Sequence, residues 1–264
     1  MGALGERLDI RDVTLENIDD LVSICVSPDR RNNPLFVKGM CTKKEWASQN
    51  IKKYGSIAKL AYLNSKPVGL LQYHPSSEEK LVEITCIFVP EKENLRKGIG
   101  KSMLKALIED LKKPKPIFSD EIPFALITRA FEVQGMFSQR DFYLKMGFKK
   151  VEGDDPFLLY YPLKKGYVPP NERKFIPLEE DKWKALIFSD SSCPWSAYFS
   201  EKIKESVKEV APNIPIRIID KFKEYEEVKR RGYAPYLVVN AKPIETFFTE
   251  REKFQNEIKQ ALEN

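Results

Sequence analysis

Val89-Pro90-Glu91-Lys92-Glu93-Asn94-Leu95-Arg96-Lys97-Gly98-Ile99-Gly100-Lys101-Ser102-Met103-Leu104 decides the reading of this chain. It runs from an apolar strand through a charged turn with two glycines into an amphipathic helix. Upstream, Leu81, Glu83, Thr85, Ile87 and Val89 alternate with Val82, Ile84, Cys86 and Phe88. Both faces are mainly apolar, which suits a strand covered on two sides. Downstream, Met103, Leu104, Leu107, Ile108 and Leu111 recur at helical spacing. Glycines just before a helix let the backbone approach an anion, and the free N–H groups of the first turn point at it. The helix dipole and the side chains of Arg96, Lys97 and Lys101 add positive charge. The segment is built as a phosphate-binding turn.

Two common turns of that kind do not fit. Gly100-Lys101-Ser102 ends like a Walker A loop, but Leu95 stands where its first glycine belongs. A dinucleotide fingerprint needs a third glycine where Met103 stands. The Arg-Lys-Gly-Ile-Gly run instead resembles motif A of the GNAT superfamily of N-acetyltransferases, Gln/Arg-x-x-Gly-x-Gly/Ala, with Leu95 at the Gln/Arg position and Arg96 one place later. The resemblance implies that Arg96, Lys97, Gly98, Ile99, Gly100, Lys101 and Ser102 hold the pyrophosphate of acetyl-coenzyme A.

Asp141-Phe142-Tyr143-Leu144-Lys145-Met146-Gly147-Phe148 resembles the Phe-Tyr-x-Lys-x-Gly-Phe signature near the end of GNAT domains, at about the family's usual separation. Physically it reads as a helix end, with Gly147 just past the cap. Strands are expected at Leu8–Val13, Ile57–Leu63, Val68–Tyr73, Ala125–Ala130 and Phe157–Tyr161, with Asn64–Pro67 turning a hairpin and Thr14–Asn17 opening a helix. The expected fold is therefore α/β: a GNAT-type mixed sheet flanked by helices over residues 1–163.

The remaining chain is long enough for a second core. Residues 164–182, with Pro169-Pro170 and several charges, read as a linker. From 183 to 264, strands at Trp183–Phe188, Ile216–Ile219 and Tyr236–Val239 alternate with a helix after Ser196 and another from Glu250 to Leu262. This order resembles a smaller thioredoxin-like α/β domain, with Cys193-Pro194-Trp195-Ser196 in place of its redox motif and Ala234-Pro235 at its cis-proline. The pairing resembles GNAT proteins with a YoaP-like tail.

Composition narrows the class. Apolar residues make up 42% and charged residues 31% of the chain, as in soluble globular proteins, and no apolar run reaches membrane-spanning length. The start lacks the plan of a signal peptide or myristoylation site, so a cytoplasmic location is expected. A net charge of +5 spread among acids fits a solvated surface better than a nucleic-acid stripe, and no nucleic-acid partner is expected. Cys25, Cys41, Cys86 and Cys193 have no paired metal spacing and read as reduced thiols. No metal is expected, and Cys25 and Cys86 are expected in the core.

The resemblance implies acyl transfer from acetyl-coenzyme A, as co-substrate, to an amine-bearing acceptor. Tyr143 resembles the tyrosine that protonates the departing thiolate; an anchored core hydroxyl is the alternative. Glu83 lies where some members keep a carboxylate base in a partly dry cleft; an ion-paired strand glutamate is the alternative. Backbone groups between Cys86 and Val89, including Ile87, Phe88 and Val89, would take the acetyl carbonyl and the pantetheine arm. The segments Pro28–Gly55 and Ala130–Arg140 are the expected acceptor loops. His74 is expected in a turn. Cys193 precedes a helix with Pro194 in its first turn, which favours thiolate. Monothiol exchange, a mixed disulfide or a vestigial binding fold all remain open for it. Two further functions compete with the transferase: a monothiol oxidoreductase with a coenzyme-binding module, and a non-catalytic acyl-coenzyme A sensor.

Overall fold

The computed structural model describes residues 7–131, 138–153, 155–170, 174–232 and 234–263. It divides into two compact units, Met1–Cys25 with Ala47–Glu172, and Val26–Trp46 with Arg173–Asn264. Val26–Trp46, read from sequence as part of the N-terminal domain, groups with the C-terminal residues.

The first unit opens with β1 (Leu8–Asp12) and α1 (Ile18–Ser23), and receives the end of α2 (Pro34–Tyr54). Then follow β2 (Ala58–Leu63), β3 (Lys66–Ser76), β4 (Leu81–Phe88), α3 (Ile99–Leu111), β5 (Ala125–Arg129), α4 (Gln139–Lys145), β6 (Lys149–Lys150) and β7 (Leu158–Pro162). The strands form one seven-stranded sheet in the order β1-β2-β3-β4-β5-β7-β6. Every neighbouring pair is antiparallel except β4 and β5. That parallel pair is joined through α3, which packs Met103, Leu104, Leu107, Ile108 and Leu111 against Leu71, Tyr73, Val82 and Ile84 of the sheet. Lys59 on β2 is buried, and its ammonium lies 2.5 Å from Asp12 and 3.4 Å from Asp110 of α3. A buried lysine needs such partners.

The strict alternation expected along β4 does not hold. The β3–β4 register pairs Gln72 with Cys86 but Tyr73 with Ile84, so Thr85 is an extra residue. Core-facing positions are Val82 and Ile84 before this bulge, and Ile87 and Val89 after it. One inserted residue changes which face every later side chain takes. Other differences are local. His74 lies within β3, not in a turn. Cys25 and Cys86 are half-buried. The expected loop Pro28–Gly55 is largely helix α2, with Pro34 at its start and Gly55 at φ +82 just past its end.

The second unit contains β8 (Ala185–Ser189), α5 (Trp195–Val210), β9 (Ile216–Asp220), α6 (Tyr225–Lys229), β10 (Leu237–Val239), β11 (Lys242–Pro243) and α7 (Arg251–Glu263). Its sheet runs β11-β10-β8-β9, with β8 and β9 parallel and the other pairs antiparallel. Ala185 and Ile187 face a core with Ile203 and Val207 of α5 and Phe254 and Ile258 of α7. Leu186 and Phe188 face a smaller cluster with Ile219, Ala234 and Val238. Alternation along a strand covered on both faces gives this three-layer arrangement. Arg231, 1% exposed, is held by Asp181 at 2.6 Å and by Glu227 at 3.1 Å. No described peptide bond is cis, so Ala234-Pro235 is trans, the isomer favoured for most X–Pro bonds. Among the described residues no helix is long and apolar enough to cross a membrane.

Candidate active site

The site begins where β4 and β5 part. Their parallel ladder covers only Leu81–Glu83 against Ala125–Ile127. Beyond it the Thr128 hydroxyl donates to the Ile84 carbonyl at 3.0 Å, while β4 continues along β3 to Phe88. Among the described residues no ladder pairing joins β4 to β5 beyond Glu83, and β4 runs on past this point to Phe88. Ile87, Phe88 and Val89, expected to supply backbone contacts, lie on this stretch and just past it.

The end of that stretch leads to the glycine turn. Arg96 has φ +62 and Gly98 has φ +81, both left-handed. A left-handed residue followed by helical Ile99 turns successive N–H groups toward one side, a backbone nest for anions. The first helical bond is donated by Ser102 N–H to the Gly98 carbonyl at 2.9 Å, and no side chain caps α3. The amides of Ile99, Gly100 and Lys101 are therefore free for a ligand. A Cβ on Gly98 would meet nothing within 4 Å, so the cradle is open space. One on Gly100 would touch Ile87 and Phe142 at 3.5 and 3.6 Å. Arg96, Lys97 and Lys101 are exposed around the turn, and Ser102 is half-buried. Lys97 donates to Asn94 at 3.4 Å, which donates to Glu91 at 2.9 Å. These groups fit a pyrophosphate.

Tyr143 projects from α4 into the same parting. Ser138 caps α4, accepting from Asp141 N–H at 3.2 Å, and Gly147 at φ +90 ends it. Tyr143 is 1% exposed, between the rings of Phe142 and Phe148. Burial pushes its phenol well above the usual tyrosine value; the Thr128 hydroxyl opposes that shift and nearby Cys86 adds to it. The phenol therefore keeps its proton at neutral pH.

Glu83 stands last in the β4–β5 ladder, opposite His74 on β3 and Ile127 on β5. It is exposed, in contrast to the partly dry surroundings expected for it. His74 lies edge-on to the Tyr54 ring at 5.5 Å. The sequence reading did not single out Gln72, whose amide donates to the Thr85 hydroxyl at 3.0 Å across the bulge. Of the expected acceptor segment Ala130–Arg140, residues 132–137, including Gln134, lie outside the described residues. Among the described residues no group of three or more His, Cys, Asp or Glu side chains is placed to hold a metal.

Cys193 belongs to the second unit. It is half-buried, its N–H bonds to the Asp190 carbonyl at 3.1 Å, and Pro194 is the cap residue of α5 instead of its first helical residue. Within this unit the start of α2 packs on the motif. The Phe36 ring stacks on Tyr198 at 5.2 Å and meets Trp195 edge-on at 4.8 Å. Arg30 lies over Trp195 at 5.0 Å. Gly39 is so close that an added Cβ would sit 2.0 Å from the Pro194 carbonyl oxygen.

Residues 26–148 match the profile of the Acetyltransferase (GNAT) family. Over those residues, a little under half of its length, the chain is similar to the acetyltransferases of that family. No curated protein sequence matches the chain significantly. Among solved structures it is similar to PaiA N-acetyltransferase from Thermoplasma acidophilum in complex with coenzyme A, at 17% identity and TM-score 0.44 over 59% of this chain and 99% of that one. A GNAT family acetyltransferase from Staphylococcus aureus Mu50 is similar at 17% identity and TM-score 0.44, over 60% of this chain and 100% of that one. A GNAT family acetyltransferase from Brucella melitensis in complex with acetyl-CoA is similar at 10% identity and TM-score 0.41, over 63% and 93%.

Proposed function

We propose that the chain is an acetyl-coenzyme A dependent N-acetyltransferase acting on an amine. The observation that carries this reading is the parting of β4 from β5 beyond Glu83, with the open amide cradle at one end and the buried Tyr143 phenol beside it. Acetyl-coenzyme A supplies an acetyl group on a thioester. The amides of Ile99, Gly100 and Lys101, with Arg96, Lys97 and the Ser102 hydroxyl, hold its pyrophosphate. The stretch of β4 from Cys86 to Phe88, with Val89 just past it, takes the pantetheine arm along the side that parts from β5. Tyr143 holds a proton where the departing sulfur gains charge. Glu83, exposed at the ladder's end, takes the amine proton through water. Its exposure suits a relay to solvent better than a buried base.

The second unit is read as thioredoxin-like, supported by its order β8-α5-β9 followed by β10-β11-α7 and by Cys193 just ahead of α5. We read residues 1–163 as catalytic, 164–182 as linker and 183–264 as the tail, in a cytoplasmic protein. The contacts of Phe36 and Gly39 favour a binding role for the motif over thiol exchange.

The test has two arms. Coenzyme A should raise the melting temperature, and a panel of primary amines should include at least one that releases free thiol from acetyl-coenzyme A. Protection without turnover on any amine would leave a coenzyme-binding sensor; neither would refute the reading.

A further inference from the structure

We infer that Thr85 is a further catalytic residue, donating its hydroxyl proton to the acetyl carbonyl oxygen, and that Gln72 positions it. The inference rests on the transferase reading above. Thr85 is the extra residue of the β4 bulge, half-buried, at the point where β4 has parted from β5. Its oxygen accepts from Gln72 Nε2 at 3.0 Å. A hydroxyl has one proton, and accepting from the amide leaves that proton free to be given elsewhere. Attack by the amine forms a C–N bond and moves the carbonyl pair onto oxygen; that pair returns as the C–S bond breaks and sulfur takes a proton. A donor fixed in place before attack stabilises the charge on oxygen without reorganising.

Gln72 is a poor choice for stability alone. It is 1% exposed, and its Oε1 is buried without a hydrogen-bond partner. Turning the amide over would satisfy the oxygen through Thr85 but strand the Nε2 donors, so one end stays unpaired in either orientation. A half-satisfied buried amide is worse for folding than an apolar side chain of similar size. Leu71 and Tyr73 flank it in the α3-side core. Gln72 therefore faces the opposite side of the sheet, with His74 and its register partner Glu83. Among the described residues its side chain bonds to the Thr85 hydroxyl alone. That is the arrangement expected where stability yields to site geometry.

The test uses the full-length protein with acetyl-coenzyme A labelled with carbon-13 at the carbonyl. Isotope-edited infrared spectra of the bound thioester should show its stretch moved to lower frequency than in water. Thr85→Val should return it toward the free value, and Thr85→Ser should keep it low. With an amine that the wild type acetylates, Thr85→Val should lower kcat about 10²-fold at unchanged coenzyme affinity. Gln72→Met should lower kcat in the same direction, add little to Thr85→Val, and leave the melting temperature equal or higher. A carbonyl frequency and kcat both indifferent to Thr85→Val would overturn this inference alone. Failure of the wild type to bind acetyl-coenzyme A would overturn the transferase reading and this inference with it. If Gln72→Met lowers the melting temperature as strongly as it lowers kcat, Gln72 is structural and its positioning role is refuted.

Discussion

Replacing Tyr143 by Phe removes one hydroxyl and leaves the ring packing in place. Two effects of different size follow. The structural loss is small, because Thr128 keeps its own bond to the Ile84 carbonyl and no donor is orphaned. One net hydrogen bond is worth about 1 kcal/mol, which lowers the melting temperature of a domain this size by about 2–4 °C. The kinetic loss is larger if the phenol is the acid. General acid catalysis contributes roughly 10²–10⁴-fold, and water entering the parting supplies a weak substitute, so the low end applies. A hundredfold loss corresponds to about 2.7 kcal/mol of barrier.

The assay is thiol release from acetyl-coenzyme A with the acceptor saturating, paired with calorimetry of coenzyme A binding. The expected result is kcat lowered about 10²-fold with coenzyme affinity unchanged, since the interaction removed exists only in the transition state. Because burial holds the phenol protonated, the wild type should show no loss of activity from Tyr143 ionisation as pH rises through 9. A kcat within about twofold of wild type would refute the assignment and leave Tyr143 as a core residue protonating nothing.

The glycine turn separates two kinds of damage. Gly98→Ala places a side chain at φ +81 and should cost about 1–2 kcal/mol of stability. Gly100→Ala makes only ordinary contacts with Ile87 and Phe142; Gly100→Val should abolish coenzyme A protection against heat while circular dichroism stays native. In the second unit, Gly39→Ala forces Pro194 and α2 apart and should cost about 1–3 kcal/mol. It should also speed iodoacetamide labelling of Cys193 measured by mass spectrometry, whereas exposed Cys41 should keep its rate; unchanged Cys193 labelling would refute the occlusion. Asp110 carries a pH prediction. Burial raises its pKa, but the hydrogen bond from Lys115 and the charge of Lys59 outweigh that and hold it below the usual carboxylate value. Its contribution is present above the ordinary carboxylate pKa of about 4 and is lost as pH falls through the depressed value. Asp110→Asn should therefore flatten the acid side of the urea-stability profile, and an unchanged acid limb would contradict this.

The features legible in the sequence are those set by near neighbours. The glycines at 98 and 100, the helix behind them and the Gly147 stop each act through local backbone rules, and each stands where the spacing puts it. The hairpin at Asn64–Ser65 is local too, with both residues at positive φ. Helix α2 is harder to read from the sequence although its signals are present, Pro34 at the start and Gly55 after the end. Its lysines and Gly39 interrupt the apolar stripe that a helix search follows. That glycine is explained only by distant Pro194, which no window of sequence contains.

The irregularity in β4 was hidden for a sharper reason. Strict alternation puts Thr85 and Ile87 on one face of β4, and that reading makes Thr85 another strand residue. The register shift opposite Gln72 moves Ile87 into the α3-side core and leaves Thr85 unpaired. A bulge is a relation between two strands, so β4 alone carries no mark of it. Gln72 suffers the same ambiguity. In sequence it is one polar residue among Leu70, Leu71 and Tyr73, and an edge position would explain it. In the sheet β3 is flanked by β2 and β4, the edge explanation fails, and the amide has to be accounted for by what it holds. A polar side chain at an interior strand position opposite an irregularity is therefore better evidence for a site than either feature alone. The Thr85→Val measurement bears on that pairing directly.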